Sequence, residues 1–183
     1  MEQTQTVVEK IVRDFAQEQG LEIEAGSRPG ELVVVLPGDQ KLRTVCSLVI
    51  GTSDLSLSAF VIRHPDENEA GFFRNLLRRN LRMPGLAYAV DVHDDVYVVG
   101  RLPLAAVDGQ SIDRLFGVVL EAADGAFNDL LLAGFRTSMR KEWAWRVDRG
   151  ESLRNLEAFR DALTEGKDGG PVPFSEGPNK LGS

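Results

Sequence analysis

The chain is poor in the residues from which many metal centres and active sites are built. Its 183 residues include one cysteine and two histidines, and 28 acidic side chains outnumber 21 basic ones. A single thiol makes neither an internal disulfide nor a cysteine-based zinc cluster. The net charge of -7 argues against a protein that binds nucleic acid through its phosphates, because that binding needs a cationic surface.

Long uninterrupted apolar runs are also missing. The most apolar stretch, residues 115–135, is broken by charged and polar residues, so we expect no membrane span and no membrane partner. The first 19 residues contain no basic segment followed by an apolar core, so the sequence predicts no secretory signal. Together with the single cysteine, this predicts a cytoplasmic protein.

The apolar residues that are present predict an α+β domain. They recur at helical spacing over residues 7–15 and then form four short strand-like stretches between residues 21 and 62. Only short turns separate these stretches, which favours an antiparallel meander because parallel neighbours need long crossovers. A second helix to residue 81, a hairpin over residues 86–100 and a third helix from residue 108 complete the order α-β-β-β-β-α-β-β-α.

The second predicted helix carries a row of basic residues. Arg74, Arg78 and Arg82 recur every fourth residue, and residues 71–82 carry four positive charges and no negative one. This row is either a solvated helix face or a binding site for a partner's acidic peptide or a phosphate. The opposite half of the helix is predicted to be apolar and contains Phe72, Phe73, Leu76, Leu77 and Leu81.

Asn80 lies in the middle of the predicted apolar half of this helix. An unpaired buried amide costs on the order of 1–3 kcal/mol. We therefore expect Asn80 to be a structural residue whose side chain hydrogen-bonds to a nearby backbone segment.

The composition changes after residue 134. Phe135, Met139, Trp143 and Val147 are four residues apart, which favours a helix, although Trp143, Trp145 and Val147 also alternate as in a strand. The two tryptophans lie among basic residues and are either packing residues or anchors of a partner interface, with nucleic-acid stacking the least favoured reading.

Three segments follow from these patterns. Residues 1–135 are predicted to form the α+β domain, and residues 136–165 a C-terminal helical extension that packs on this domain or on a partner. Its last helix is expected over residues 151–165. Residues 166–183 are rich in glycine and proline and are predicted to be a flexible tail.

Residues 76–103 resemble the YbjN family, which is described as bacterial sensory transduction regulators. The resemblance rests on Leu76-Leu77-x-x-Asn80 at a helix end, on Asp91 after a strand, and on an apolar return strand that ends in Leu102-Pro103. It covers about residues 7–135 and implies a twisted antiparallel sheet with helices packed on one side, similar to type III secretion chaperones. The family brings no catalytic residues to this chain.

The remaining polar clusters predict neither a metal site nor a catalytic one. Residues 91–95 contain three aspartates and a histidine, but they fit a tight hairpin turn better than a metal shell. No phosphate-binding loop, dinucleotide fingerprint or serine-nucleophile elbow is present. We therefore expect no cofactor and no metal.

The functional hypothesis is a non-enzymatic, chaperone-like or regulatory module that binds a protein or peptide partner as a homodimer. The alternative is a regulator that responds to a small anion bound near Arg74, Arg78 and Arg82. An enzyme of unrecognised chemistry is the remote third reading.

Overall fold

A computed structural model describes residues 2–164 of the chain; the predicted tail over residues 166–183 lies outside the described residues. The helices are α1 (Glu2–Glu18), α2 (Glu69–Asn80), α3 (Gly109–Leu120), α4 (Phe127–Arg149) and α5 (Arg160–Thr164). The strands are β1 (Glu22–Ala25), β2 (Glu31–Pro37), β3 (Arg43–Ile50), β4 (Asp54–Ile62), β5 (Leu86–Val90) and β6 (Val96–Pro103). Short 3₁₀ turns cover Leu104–Ala106 and Arg154–Phe159, and a π-helical turn covers Glu121–Gly125.

The six strands form one antiparallel sheet in the order β1-β2-β3-β4-β6-β5. The predicted α+β fold, the element order and the antiparallel pairing are confirmed. β6 pairs with β4 on one side and with β5 on the other, so β5 lies at the edge of the sheet. The turn before β2 needs a glycine, because Gly30 has φ +72° and a Cβ there would lie 2.8 Å from the Ile50 carbonyl oxygen.

The hydrophobic core lies on one face of this sheet. Alternate residues of β2, β3 and β4, among them Val34, Cys46 and Leu57, are almost fully buried, and the register places them side by side. α1 contacts β3 and α3, and the rings of Phe15 and Phe116 lie 5.8 Å apart between these two helices. Helices therefore cover one face of the sheet, which explains why every second residue of these strands is buried.

A nearly continuous helical run leads out of the sheet. α3 begins at a capping box in which the Asp108 side chain accepts from the Ser111 backbone N–H, and the Ser111 hydroxyl accepts from the Asp108 backbone N–H. The run then widens into the π-helical turn, where the Ala126 N–H donates to the Glu121 carbonyl, and continues as α4. Residues 134–149 are thus helical, which excludes the strand reading of the tryptophan segment.

The expected helix over residues 151–165 is wrong in its first half. Residues 154–159 form a 3₁₀ turn, and only Arg160–Thr164 is α-helical within the described residues. The apolar residues Leu156, Phe159 and Leu163 are nevertheless buried. The apolar contacts expected of this segment are therefore made, although only its end is α-helical.

The chain divides after Gly134 into two compact units. The first contains the sheet, α1, α2, α3 and the beginning of α4, and the second contains the rest of α4, the second 3₁₀ turn and α5. Over residues 2–164, no helix is long and apolar enough to cross a membrane.

Candidate partner-binding surfaces

The face of the sheet opposite the core carries many apolar side chains. Register pairs Val35 with Val45 and Phe60 with Tyr97 on this side. Val45 is 49% exposed and Phe60 38% exposed. We call this surface the open face; its apolar members are Val33, Val35, Val45, Val49, Phe60, Tyr97 and Val99. The sequence signal for this surface is that both alternating sets of residues in β2 and β3 contain apolar side chains, so these strands are apolar on both faces.

A charged cluster lies on the open face at the start of β2. The Glu31 carboxylate accepts from the Arg28 guanidinium at 2.7 Å and from the Ser47 hydroxyl at 2.5 Å. These two bonds, together with the Arg28 backbone N–H, lower the pKa of Glu31 to about 2. The cluster therefore stays ionised and paired, and it places one polar anchor within a largely apolar surface.

The arginine row is exposed, as both sequence readings, a solvated face and a binding site, require. Arg74, Arg78 and Arg82 are all solvent-exposed. The prediction that Leu77 and Leu81 belong to the buried half of the helix is wrong, because these side chains are 67% and 86% exposed.

Only a narrow stripe of α2 is buried, and this explains the error. Phe72 and Leu76, one turn apart, are its fully buried residues. α2 packs against the edge strand β5 rather than across the sheet, so a single ridge of the helix is covered. Leu77 and Leu81 are each one residue further along the chain than Leu76 and Asn80, which turns them by about 100° away from the buried stripe. They therefore lie next to the exposed arginines. We call Arg74, Leu77, Arg78, Leu81 and Arg82 the basic–leucine face.

The fourth arginine of α2 differs from the other three. The Arg79 guanidinium pairs with the Asp129 carboxylate at 3.0 Å. Among residues 2–164, no carboxylate lies within ion-pair distance of Arg74, Arg78 or Arg82. Arginines four residues apart on a helix repel one another, so this row has uncompensated positive charge.

Asn80 joins the end of α2 to the sheet edge. The Tyr88 backbone N–H donates to Asn80 Oδ1 at 2.7 Å, and Asn80 Nδ2 donates to the Tyr88 carbonyl at 3.3 Å. The amide thus pairs with β5 on the side where no further strand pairs with it, which is the kind of backbone contact expected from the sequence. Asn80 is a positioning residue for the edge strand.

Tyr88 links this edge strand to the π-helical turn. Its hydroxyl donates to the Ala122 carbonyl at 2.8 Å, and burial raises its pKa to about 12. The turn's own Asp124 accepts from three backbone N–H groups, of Asp39, Gln40 and Lys41. Burial alone raises the pKa of Asp124, but these donors outweigh it and leave the pKa lowered. A shallow cavity of about 430 Å³ lies beside this contact and is lined by residues of both segments.

The two tryptophans belong to the second unit and do not form one patch. They are two residues apart on α4, so they point to different sides of the helix. Trp145 is 47% exposed and lies under the Arg149 guanidinium at 4.7 Å, whereas Trp143 is half-buried and stacks with Arg160 at 5.7 Å. Their role as partner-binding residues stays a prediction.

The groups most suited to chemistry are scattered. Burial raises the pKa of the Cys46 thiol to about 12. Burial lowers the pKa of Lys41 to about 8, and its amine donates to the Phe60 carbonyl. The hairpin aspartates serve the turn, since Asp91 Oδ1 accepts from the backbone N–H groups of His93 and Asp95. Among the described residues, no cluster of three or more histidine, cysteine or acidic side chains is arranged to hold a metal ion.

Residues 9–132 match a family model described as "YbjN: Putative bacterial sensory transduction regulator". The chain belongs to the YbjN family. The match spans the whole sheet, the open face and α2, and it ends before the two tryptophans of the second unit.

Mycobacteria contain proteins that are similar in sequence to this chain. An uncharacterized protein of Mycobacterium tuberculosis is 44% identical over 156 residues, which cover 83% of this chain and 85% of that protein. An uncharacterized protein of Mycobacterium leprae is 50% identical over 138 residues, which cover 75% of each chain.

Solved structures show that the YbjN fold is similar to that of type III secretion chaperones. The structure of the HopA1–SchA chaperone–effector complex contains a chain with a TM-score of 0.51 and 13% identity; the match covers 67% of this chain and 94% of that one. The ExsC–ExsE complex contains a chain with a TM-score of 0.53 and 20% identity, with coverage of 68% and 94%. At these identities the likeness shows the fold alone, and it confirms the fold that the sequence resemblance implied.

Proposed function

We propose that this YbjN-family chain is a non-enzymatic module that holds a protein or peptide partner, and that it works as a homodimer. The observation that carries the proposal is the open face, where partly exposed valines and aromatic residues lie on a sheet whose other face is already packed. Contiguous apolar surface on a folded domain is typical of protein-binding sites. The fold supports the same class of function, because one solved structure that shares it is a complex of a chaperone with an effector.

The state of the single thiol supports the non-enzymatic reading. Cys46 is fully buried in β3, and desolvation raises its pKa to about 12, so it is a neutral thiol near pH 7. The Lys41 amine, whose pKa burial lowers to about 8, lies 4.9 Å from the centre of the Phe60 ring and donates to the Phe60 carbonyl. Both groups are held in packing contacts that a reacting substrate would have to displace.

Paired substitutions of exposed valines test partner binding at the open face. Val45→Lys introduces a charge into the open face, whereas Val92→Lys makes the same change at a valine that is 92% exposed after β5. The full-length protein and both variants serve as baits in native cells, with captured proteins quantified by mass spectrometry. We expect a partner that the wild-type chain and Val92→Lys retain and Val45→Lys loses. Equal capture by all three baits would contradict the open-face assignment, and no enrichment by any bait would contradict partner binding.

Light scattering on the purified protein tests the homodimer. The expected mass is twice the 20.1 kDa of one chain. A monomer at high micromolar concentration would contradict this part of the proposal while leaving partner binding open to the capture experiment.

The alternative function, a regulator that binds a small anion at the arginine row, has weaker support. Arg74 and Arg78 are exposed on α2, and Arg82 is exposed in the turn that follows it. A small anion at such a site gains little over its hydration shell. Stabilisation by inorganic phosphate that Arg78→Glu abolishes, measured by thermal shift, would favour this alternative.

A further inference from the structure

The basic–leucine face of α2 presents charge and apolar surface together. α2 ends at Asn80, and the next turn continues its path, with the Leu81 and Arg82 N–H groups donating to the Arg78 and Arg79 carbonyls. Leu77 and Leu81 therefore form one row, and Arg74, Arg78 and Arg82 form the row next to it. The leucines are 67% and 86% exposed, the latter among the most exposed large apolar side chains of the described part of the chain. Exposed leucines lose apolar stabilisation, and adjacent arginines repel one another, so this face is costly unless something covers it.

We propose that this face docks an acidic amphipathic segment of a partner protein. In such a segment, apolar side chains three or four residues apart contact Leu77 and Leu81, and flanking carboxylates reach the three arginines. The proposal deepens the proposed function, because it rests on partner binding and names the chemistry of one contact. It is separate from the open face, which lies on the sheet.

Charge complementarity selects this occupant. Arg79, the fourth arginine of the helix, already has a carboxylate partner, because its guanidinium pairs with the Asp129 carboxylate at 3.0 Å. Guanidinium groups bind carboxylates through two-point hydrogen bonds, which a partner's acidic side chains supply to Arg74, Arg78 and Arg82. The two leucines require that these carboxylates flank apolar side chains rather than form an uninterrupted acidic run.

Two other occupants fit less well. A second copy of this chain docked face to face through α2 would bring two rows of arginines together, which is unfavourable. An anionic membrane attracts the arginines, but it repels the rest of a protein whose net charge is -7. A short acidic peptide segment contacts only the basic–leucine face, so the negative charge of the rest of the protein repels it less.

A model peptide tests the proposal with the full-length chain. The probe is a fluorescein-labelled peptide of about 15 residues, long enough to form a helix, with leucines at helical spacing flanked by glutamates. The first control peptide has the same composition in scrambled order, and the second contains glutamate without leucine. Fluorescence anisotropy gives the dissociation constants at about 50 and 500 mM salt, because screening weakens exposed ion pairs.

Matched variants assign the binding to the face. We expect Arg78→Glu to weaken binding of the leucine–glutamate peptide about tenfold, since attraction is replaced by repulsion at the centre of the row. The double variant Leu77→Ser, Leu81→Ser should weaken it at least fivefold by removing apolar contact. Arg114→Glu, the same change at an exposed arginine of α3, is the control and should leave binding unchanged.

Several results would overturn the proposal. Equal binding of the glutamate-only peptide would show a nonspecific polyanion site, and binding to phosphatidylserine vesicles but not to peptide would assign the face to lipid. Conversion of a dimer to a monomer by the double leucine variant would assign it to a second copy of the chain. None of these results changes the capture experiment at Val45, so failure of this inference and failure of partner binding are distinguishable.

Discussion

Removal of the Asn80 side chain tests how the edge of the sheet is held. Asn80→Ala deletes both hydrogen bonds to the Tyr88 backbone and leaves that N–H and carbonyl without their side-chain partners. A hydrogen bond in a protein contributes about 0.5–1.5 kcal/mol net, so the loss of two costs on the order of 2 kcal/mol. For a chain of this length, that corresponds to a melting temperature lower by about 4–8 °C.

Asn75 offers a control on the same helix. Its side-chain nitrogen is buried and has no hydrogen-bond partner in the described structure, so Asn75→Ala changes the same residue type without removing a hydrogen bond. Both substitutions improve helix propensity by about 0.5 kcal/mol or less. We therefore expect Asn75→Ala to be neutral or slightly stabilising while Asn80→Ala is clearly destabilising.

Urea unfolding followed by far-ultraviolet circular dichroism measures the difference. Tryptophan fluorescence is unsuitable, because both tryptophans, Trp143 and Trp145, lie in the second unit. Amide exchange gives a local readout, and the Tyr88 amide should lose protection in Asn80→Ala only. A difference below about 0.5 kcal/mol between the two variants, with Tyr88 protection unchanged, would refute the reasoning.

Three further predictions concern the contact of Asp124 with residues 39–41, the Glu31 cluster on the open face, and the close approach of β6 to β5. Asp124→Asn should destabilise the chain by about 2 kcal/mol in urea unfolding, because a charged acceptor of three backbone N–H groups is lost. The lowered pKa of Glu31 stabilises the fold above pH 4.5, and this contribution disappears as the pH falls toward 2; an acid titration of Glu31→Gln should show a shallower loss of stability over that range. Gly100→Ala should lower the melting temperature, because its Cβ would lie 2.8 Å from the Gly85 carbonyl oxygen, whereas Gly117→Ala, with open space around it, should not.

The strands and their antiparallel pairing could be predicted from the sequence, because the patterns that define them lie within short segments of the chain. Alternating residues such as Cys46 and Leu48 define the buried face, and short turns allow only antiparallel neighbours. The placement of β6 next to β4 depends on contacts between residues far apart in the chain. Apolar periodicity carries no such information, so the sequence predicted the strands but not their order in the sheet.

The candidate surfaces were only half predictable. The exposure of Arg74, Arg78 and Arg82 follows from their charge, but the exposure of Leu77 and Leu81 depends on how much of α2 the sheet edge covers. Helical periodicity gives relative angles between side chains and not the width of the buried stripe. The contact of Asp124 with residues 39–41 was likewise invisible, because its partners are backbone groups more than 80 residues away.

The π-helical turn between α3 and α4 also bears on how chain length varies among YbjN proteins. A π turn contains one residue more than an α turn, and here the extra residue lies in Glu121–Gly125. Deleting one residue within α3 would turn every later side chain by about 100°, whereas deleting one within the π turn would let the backbone close into a regular helix. Single-residue gaps in this helical run should therefore occur at residues 121–125. Homologues that carry such a gap should also lack an acidic residue at the position of Asp124, since the displaced carboxylate would no longer reach the loop it now holds.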